Sequence, residues 1–140
     1  MGPAAVAGGF PMASAPILGS RRPGGYPAAV VLVSAARFLN MHARAGVPEE
    51  NVSAAVVVHG RSGWELLNDV AYRARHGVDN PNTALIRELT EAGVRIVLCG
   101  QTAAARGIPL DDVASEVQVA LSAMTAFLVL QEEGYRPNPW

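Results

Sequence analysis

The sequence contains no lysine. All 11 of its basic residues are arginine, set against 12 acidic residues for a formal net charge of −1. No basic run occurs, which argues against a nucleic-acid backbone binder and against a helix lying on a membrane surface. A single cysteine, Cys99, excludes an internal disulfide and any multi-cysteine zinc site. His42 and His76 pair with no other His, Cys or acid at ligand spacing, so no metal is expected. No apolar run approaches the about 20 residues that a membrane-spanning helix needs. Neither G-x-x-x-x-G-K-S/T nor G-x-G-x-x-G occurs, which leaves no phosphate-loop motif and no expected cofactor. What is present is 140 residues, 50% of them hydrophobic, enough for one domain with its own core.

Residues 1–27 are rich in Gly, Pro, Ala and Ser and show no clear period, the composition of a flexible leader. Arg21 and Arg22 follow the weak apolar stretch instead of preceding it, the wrong order for a secretory signal. A degenerate signal would place the protein in the periplasm. The default for a lone reduced thiol is the cytoplasm.

Residues 28–140 read as one α/β domain. Val30–Val33 is ambiguous between strand and helix, with helix favoured, and a helix runs on to Arg44. Phe38, Leu39, His42 and Ala45 are its expected inner stripe, and Gly46 ends it. Ala54–His59 is a short continuous apolar run closed by Gly60, the pattern of a strand buried on both faces. A helix is predicted over Trp64–Arg75. A second is predicted to start at Asn80 and Pro81, with Leu85, Ile86, Leu89 and Ala92 inward. Val94–Cys99 is the next strand, Thr102–Arg106 a short helix, Val117–Leu121 a weaker strand and Ser122–Glu133 a final helix. This alternation predicts a small three-layer sandwich: a short, mostly parallel sheet flanked by helices. The final helix is apolar almost all round, so it is expected to pack on another subunit as well as on the sheet.

In an open parallel sheet, ligands bind beyond the carboxyl ends of the strands. Those ends deliver His59-Gly60, Cys99-Gly100-Gln101 and Ser122. Cys99 directly precedes a helix, whose N-terminus favours a thiolate. Gly100 permits close approach of a ligand or a second backbone. Two readings of Cys99 stand side by side: a reactive thiolate, or a small buried apolar residue. His59 reads as a general base, a partner of the thiolate, or a plain strand-end histidine. Asn68-Asp69 and Asn80-Pro81-Asn82 read as cap and turn chemistry.

The run Cys99-Gly100-Gln101-Thr102-Ala103-Ala104-Ala105-Arg106-Gly107-Ile108 resembles the cysteine segment of the DsrE/DsrF-like family. That family has small α/β subunits and includes sulfur-relay proteins. Ala36–His42, Val57–Gly60, Leu66–Asp69, Asn80–Asn82 and Ala120–Ala126 resemble one mostly uncharacterised branch of it, in the right order. The resemblance implies a homotrimer or hexamer, assembled here through the 122–133 helix. It also implies a persulfide carried on Cys99, exchanged with a sulfur donor or acceptor protein. Gly60, Gly100, Gln101, Thr102, His59 and Ser122 would line the pocket, and Arg106 would hold an anionic donor or pack the helix. Family members open with a strand and a loop before the Ala36–Gly46 helix. Pro27–Val33 is too short to supply both, so the first strand is expected to be shortened or absent. Two other classes remain: an oligomeric binding or accessory subunit with an inert Cys99, and a Cys–His hydrolase using Cys99 and His59.

Overall fold

A computed structural model describes residues 30–137. The proposed leader, residues 1–27, lies outside the described residues. Among them, five helices and three strands alternate: α1 Val30–Arg44, β1 Ala55–Val58, α2 Asp69–His76, α3 Thr83–Glu91, β2 Arg95–Cys99, α4 Gly100–Arg106, β3 Gln118–Ala120 and α5 Ala123–Glu132. The strands lie in the order β1-β2-β3, all parallel, with Val58 beside Leu98 and Cys99 beside Ala120.

Side-chain alternation divides the core into two unequal layers. Ala54, Val56, Val58, Ile96 and Leu98 face one way and pack with Leu32, Ala36 and Leu39 of α1 and Leu85, Ile86 and Leu89 of α3. Val97 and Cys99 face the other way, where α5 crosses all three strands and buries Ala126 and Leu130. The sandwich is therefore the expected three-layer α/β arrangement, thick on the α1–α3 side and thin on the α5 side.

Val30–Val33 belongs to α1. The inner stripe of α1 differs from the expected one. Leu32, Ala36 and Leu39 are buried, whereas Phe38 and His42 are half-buried and stacked on each other at 4.1 Å, and Ala45 is exposed. Both stripes have helical spacing. Periodicity alone does not say which one meets the sheet.

The helix expected over Trp64–Arg75 is two elements. A 3-10 turn over Gly60–Leu66 ends at Leu67, whose extended backbone bridges to Val113. Asn68 then starts α2, its side chain accepting from the Ala71 N–H at 2.9 Å. Propensity favours one continuous helix, and this bridge together with a strong cap breaks it. The next helix starts two residues later than expected, at Thr83, but Asn80 does cap the turn that leads into it, accepting from the Asn82 N–H at 2.8 Å.

Asn80 and Asn82 also do more than cap. Both are buried. The Asn80 amide donates to the carbonyls of Glu65 and Leu67, at 2.8 and 2.7 Å. The Asn82 amide donates to the buried Glu65 carboxylate at 2.7 Å. These bonds tie the 3-10 turn after β1 to the start of α3. Asn80→Ala strands two buried carbonyls and should cost about 1–3 kcal/mol for each group left unpaired, read as a lower urea midpoint at unchanged slope.

Candidate functional site

The parallel sheet brings all three strand ends to one edge. Cys99 ends β2 and is the residue before α4, and Ser122, two residues after β3, is the N-cap of α5. Two helices therefore begin at one point, and their first amides have no partner within their own helix.

The Cys99 side chain is buried. Burial pushes its thiol pKa up, because a thiolate is poorly solvated there. Several hydrogen bonds outweigh that push: the backbone and hydroxyl of Thr102 and the backbone amides of Ala123 and Gln101 all favour the thiolate, and the net shift is downward from the ordinary 9.0. Thr102 is itself fixed. Its oxygen accepts from the Gly60 N–H at 2.9 Å, which leaves its proton free to point at sulfur.

Two glycines shape this arrangement. A Cβ on Gly100 would meet the Ala120 carbonyl oxygen at 2.5 Å, so β3 approaches α4 only because residue 100 has no side chain. The close approach anticipated at Gly100 is thus made by a second backbone. A Cβ on Gly63 would meet the Thr102 methyl at 3.0 Å and crowd the same hydroxyl-bearing residue from the other side.

The expected site residues separate into three groups. Gly60, Cys99, Gly100, Gln101 and Thr102 come together. Ser122 sits beside them as a cap: its hydroxyl accepts from the Thr125 N–H at 3.0 Å and so fixes the helix whose first amide reaches Cys99. His59 and Arg106 form the third group, and their side chains, like that of Gln101, are exposed. His59 follows the Val58–Leu98 pair but is not among the groups that bond the sulfur. Arg106 lies at the opposite end of α4, about 9 Å along its axis from Gly100, where it complements the negative helix terminus.

Two contributors were not anticipated. One is the Ala123 amide, although a Ser122 cap at a strand end already signals a helix start on the edge that holds Cys99. The other is Gly63, whose role depends on a contact with Thr102 far away in sequence. A cavity of about 450 Å³ lies elsewhere, against α1, β1 and α5, and none of the expected site residues lines it. Among the described residues, no group of three or more His, Cys, Asp or Glu side chains could hold a metal, and no helix is long and apolar enough to cross a membrane.

A family model, that of the DsrE/DsrF-like family, matches residues 17–137. The chain belongs to the DsrE/DsrF-like family. A solved structure similar to it is that of MTH1491, a protein of unknown function from Methanobacterium thermoautotrophicum. It shares 27% identity at a TM-score of 0.57, over 77% of this chain and 85% of that one. No curated protein matches the chain. The DsrE/DsrF-like match begins upstream of α1, inside the segment whose composition reads as a leader.

Thr102→Val keeps the shape of the side chain and removes the hydroxyl. The Cys99 pKa should rise, read by ultraviolet titration of the thiolate. The sign of the linked stability effect follows. A thiol pKa depressed by folding adds stability that is fully present above the ordinary 9.0 and lost as pH falls through the folded value. The stability advantage of the parent over Thr102→Val should therefore widen as pH rises across that window.

Proposed function

We propose that this chain is a sulfur-carrier subunit that holds a persulfide on Cys99. The observation that carries the reading is the place of Cys99, buried at the end of β2 where α4 and α5 both begin, with the Thr102 hydroxyl and the backbone of Gln101, Thr102 and Ala123 favouring its thiolate. The Cys99 thiolate attacks the terminal sulfur of a donor persulfide, R–S–SH. The donor S–S bond breaks with its electron pair passing to R–S⁻, and Cys99–S–SH forms with the proton kept on the outer sulfur. An acceptor thiolate then takes that outer sulfur by the same exchange and returns Cys99 as thiolate. No net oxidation occurs, so one cysteine per subunit suffices. Donor and acceptor are expected to be proteins or small persulfides presented at the open strand edge. The family is the other support, since sulfur relay is what the resemblance at residues 99–108 implies.

A second reading rests on the low exposure of Cys99, 5%. It makes the chain a binding or accessory subunit whose thiol is core. Intact mass of the native protein after treatment with a sulfane-sulfur donor separates the two. The carrier gains one sulfur atom, loses it to reductant, and gains none as Cys99→Ser. Labelling only after denaturation would refute the carrier and leave the accessory subunit.

The same reading includes a homo-oligomer, a trimer or hexamer, formed through α5. Leu121, Met124 and Leu128 are 78%, 72% and 65% exposed, with Phe127 and Val129 beside them. This exposed apolar surface supports that reading. The helix that would be covered is the one that begins beside Cys99, so assembly would adjoin the site. Leu128→Glu should shift light-scattering mass from oligomer to single subunit while leaving the circular dichroism unchanged. A parent protein that is already a single subunit would overturn the assembly.

A further inference from the structure

Two glycines open and continue the 3-10 turn after β1, for different reasons. Gly60 lies at positive φ, a conformation that favours glycine. Gly63 does not. Its backbone would accept alanine, with less entropy to lose on folding. What calls for glycine at this buried position is space.

Three side chains close that space. A Cβ on Gly63 would stand 3.0 Å from the Thr102 methyl, 3.4 Å from Leu98 and 3.6 Å from Ile108. Leu98, Thr102 and Ile108 are all buried. An interior packed to native density offers a displaced methyl no second place. The Thr102 methyl therefore rests in the hollow that Gly63 leaves.

That contact bears on the hydroxyl. A threonine in a helix divides between two side-chain rotamers, which differ in where methyl and hydroxyl stand. With the methyl in the Gly63 hollow, the Thr102 oxygen accepts from the Gly60 N–H at 2.9 Å. Its proton is left for another acceptor. The same hydroxyl is among the groups that favour the Cys99 thiolate, and no charged side chain is among them.

We propose that Gly63 is a positioning residue for Cys99: by leaving room for the Thr102 methyl it selects the rotamer that sets the Thr102 hydroxyl between the Gly60 amide and the sulfur. The 3-10 turn thus reaches the thiol from the side opposite α5, through a contact of carbon with carbon. What this does for sulfur exchange rests on the carrier reading, since a hydroxyl out of place leaves less thiolate to attack a donor.

Ultraviolet titration of the thiolate, referenced to Cys99→Ser, tests the proposal with no sulfur donor present. Gly63→Ala puts a methyl against that of Thr102 and should lower the Cys99 ionisation constant ~10-fold, about the worth of one hydrogen bond to a charged group. Thr102→Ser empties the hollow and frees the hydroxyl among three rotamers, and should lower the constant ~3-fold. Adding Gly63→Ala to Thr102→Ser refills the hollow at nearly conserved volume and should raise the constant again, to within ~2-fold of the parent. The effect of Gly63→Ala therefore changes sign between the two backgrounds, which general damage to the fold would not produce. A Gly63→Ala protein with the parent's constant would overturn the proposal. So would a double variant whose constant is no higher than that of Thr102→Ser, and this comparison decides the matter if Gly63→Ala does not fold by itself. A Cys99 that titrates as expected but takes up no sulfane sulfur defeats the carrier and leaves the role of Gly63 standing.

Discussion

The hydrogen bonding of one sulfur atom organises the functional half of this molecule. Cys99 ends a strand with its side chain on the thin face of the sheet, and it also starts a helix. The sheet next to it ends at Ala120, where Ser122 starts another helix. Amides that have no partner within those helices lie where they favour the thiolate. The negative charge and the loose helix ends satisfy each other. The arrangement depends on the all-parallel order, because an antiparallel β3 would carry the start of α5 to the far edge.

Much of the remaining structure keeps this meeting point rigid. Gly100 lets the end of β3 come within reach of α4. Thr102 is locked by the Gly60 N–H, and Gly60 sits at positive φ two residues after the end of β1. The 3-10 turn that follows Gly60 is anchored by the amides of Asn80 and Asn82 through the buried Glu65. A chain of contacts thus runs from a buried polar cluster at the start of α3 to the proton on Thr102. Such a cluster is costly if incomplete and stiffening if satisfied, and here the Asn80 and Asn82 amides and the Glu65 carboxylate all have partners.

The sequence was most legible where short apolar runs met glycine. Both strongest strands, the cysteine at a strand end, the helix that follows it and the Ser122 cap could be read directly, because burial on both faces and capping leave local marks. The stripe on α1 could not, since Leu32-Ala36-Leu39 and Phe38-His42 are equally periodic. The break at Leu67 depends on a pairing with Val113, 46 positions away, and no local pattern carries that. The burial of Glu65 was equally hidden, because an acid beside Trp64 reads as the wet side of a helix until Asn82 arrives to bond it.

By itself, then, the sequence determined the α/β class, the strand-end position of Cys99 and the family, because these follow from local hydrophobic runs, breakers and a contiguous motif. The tertiary structure decided what Cys99 is bonded to. Thr102 and Gln101 are its neighbours in sequence, but the Ala123 amide and the Gly60 lock on Thr102 come from distant strand ends. Only parallel pairing in one register brings those ends together, and the lowered thiol pKa depends on all of them facing one buried sulfur.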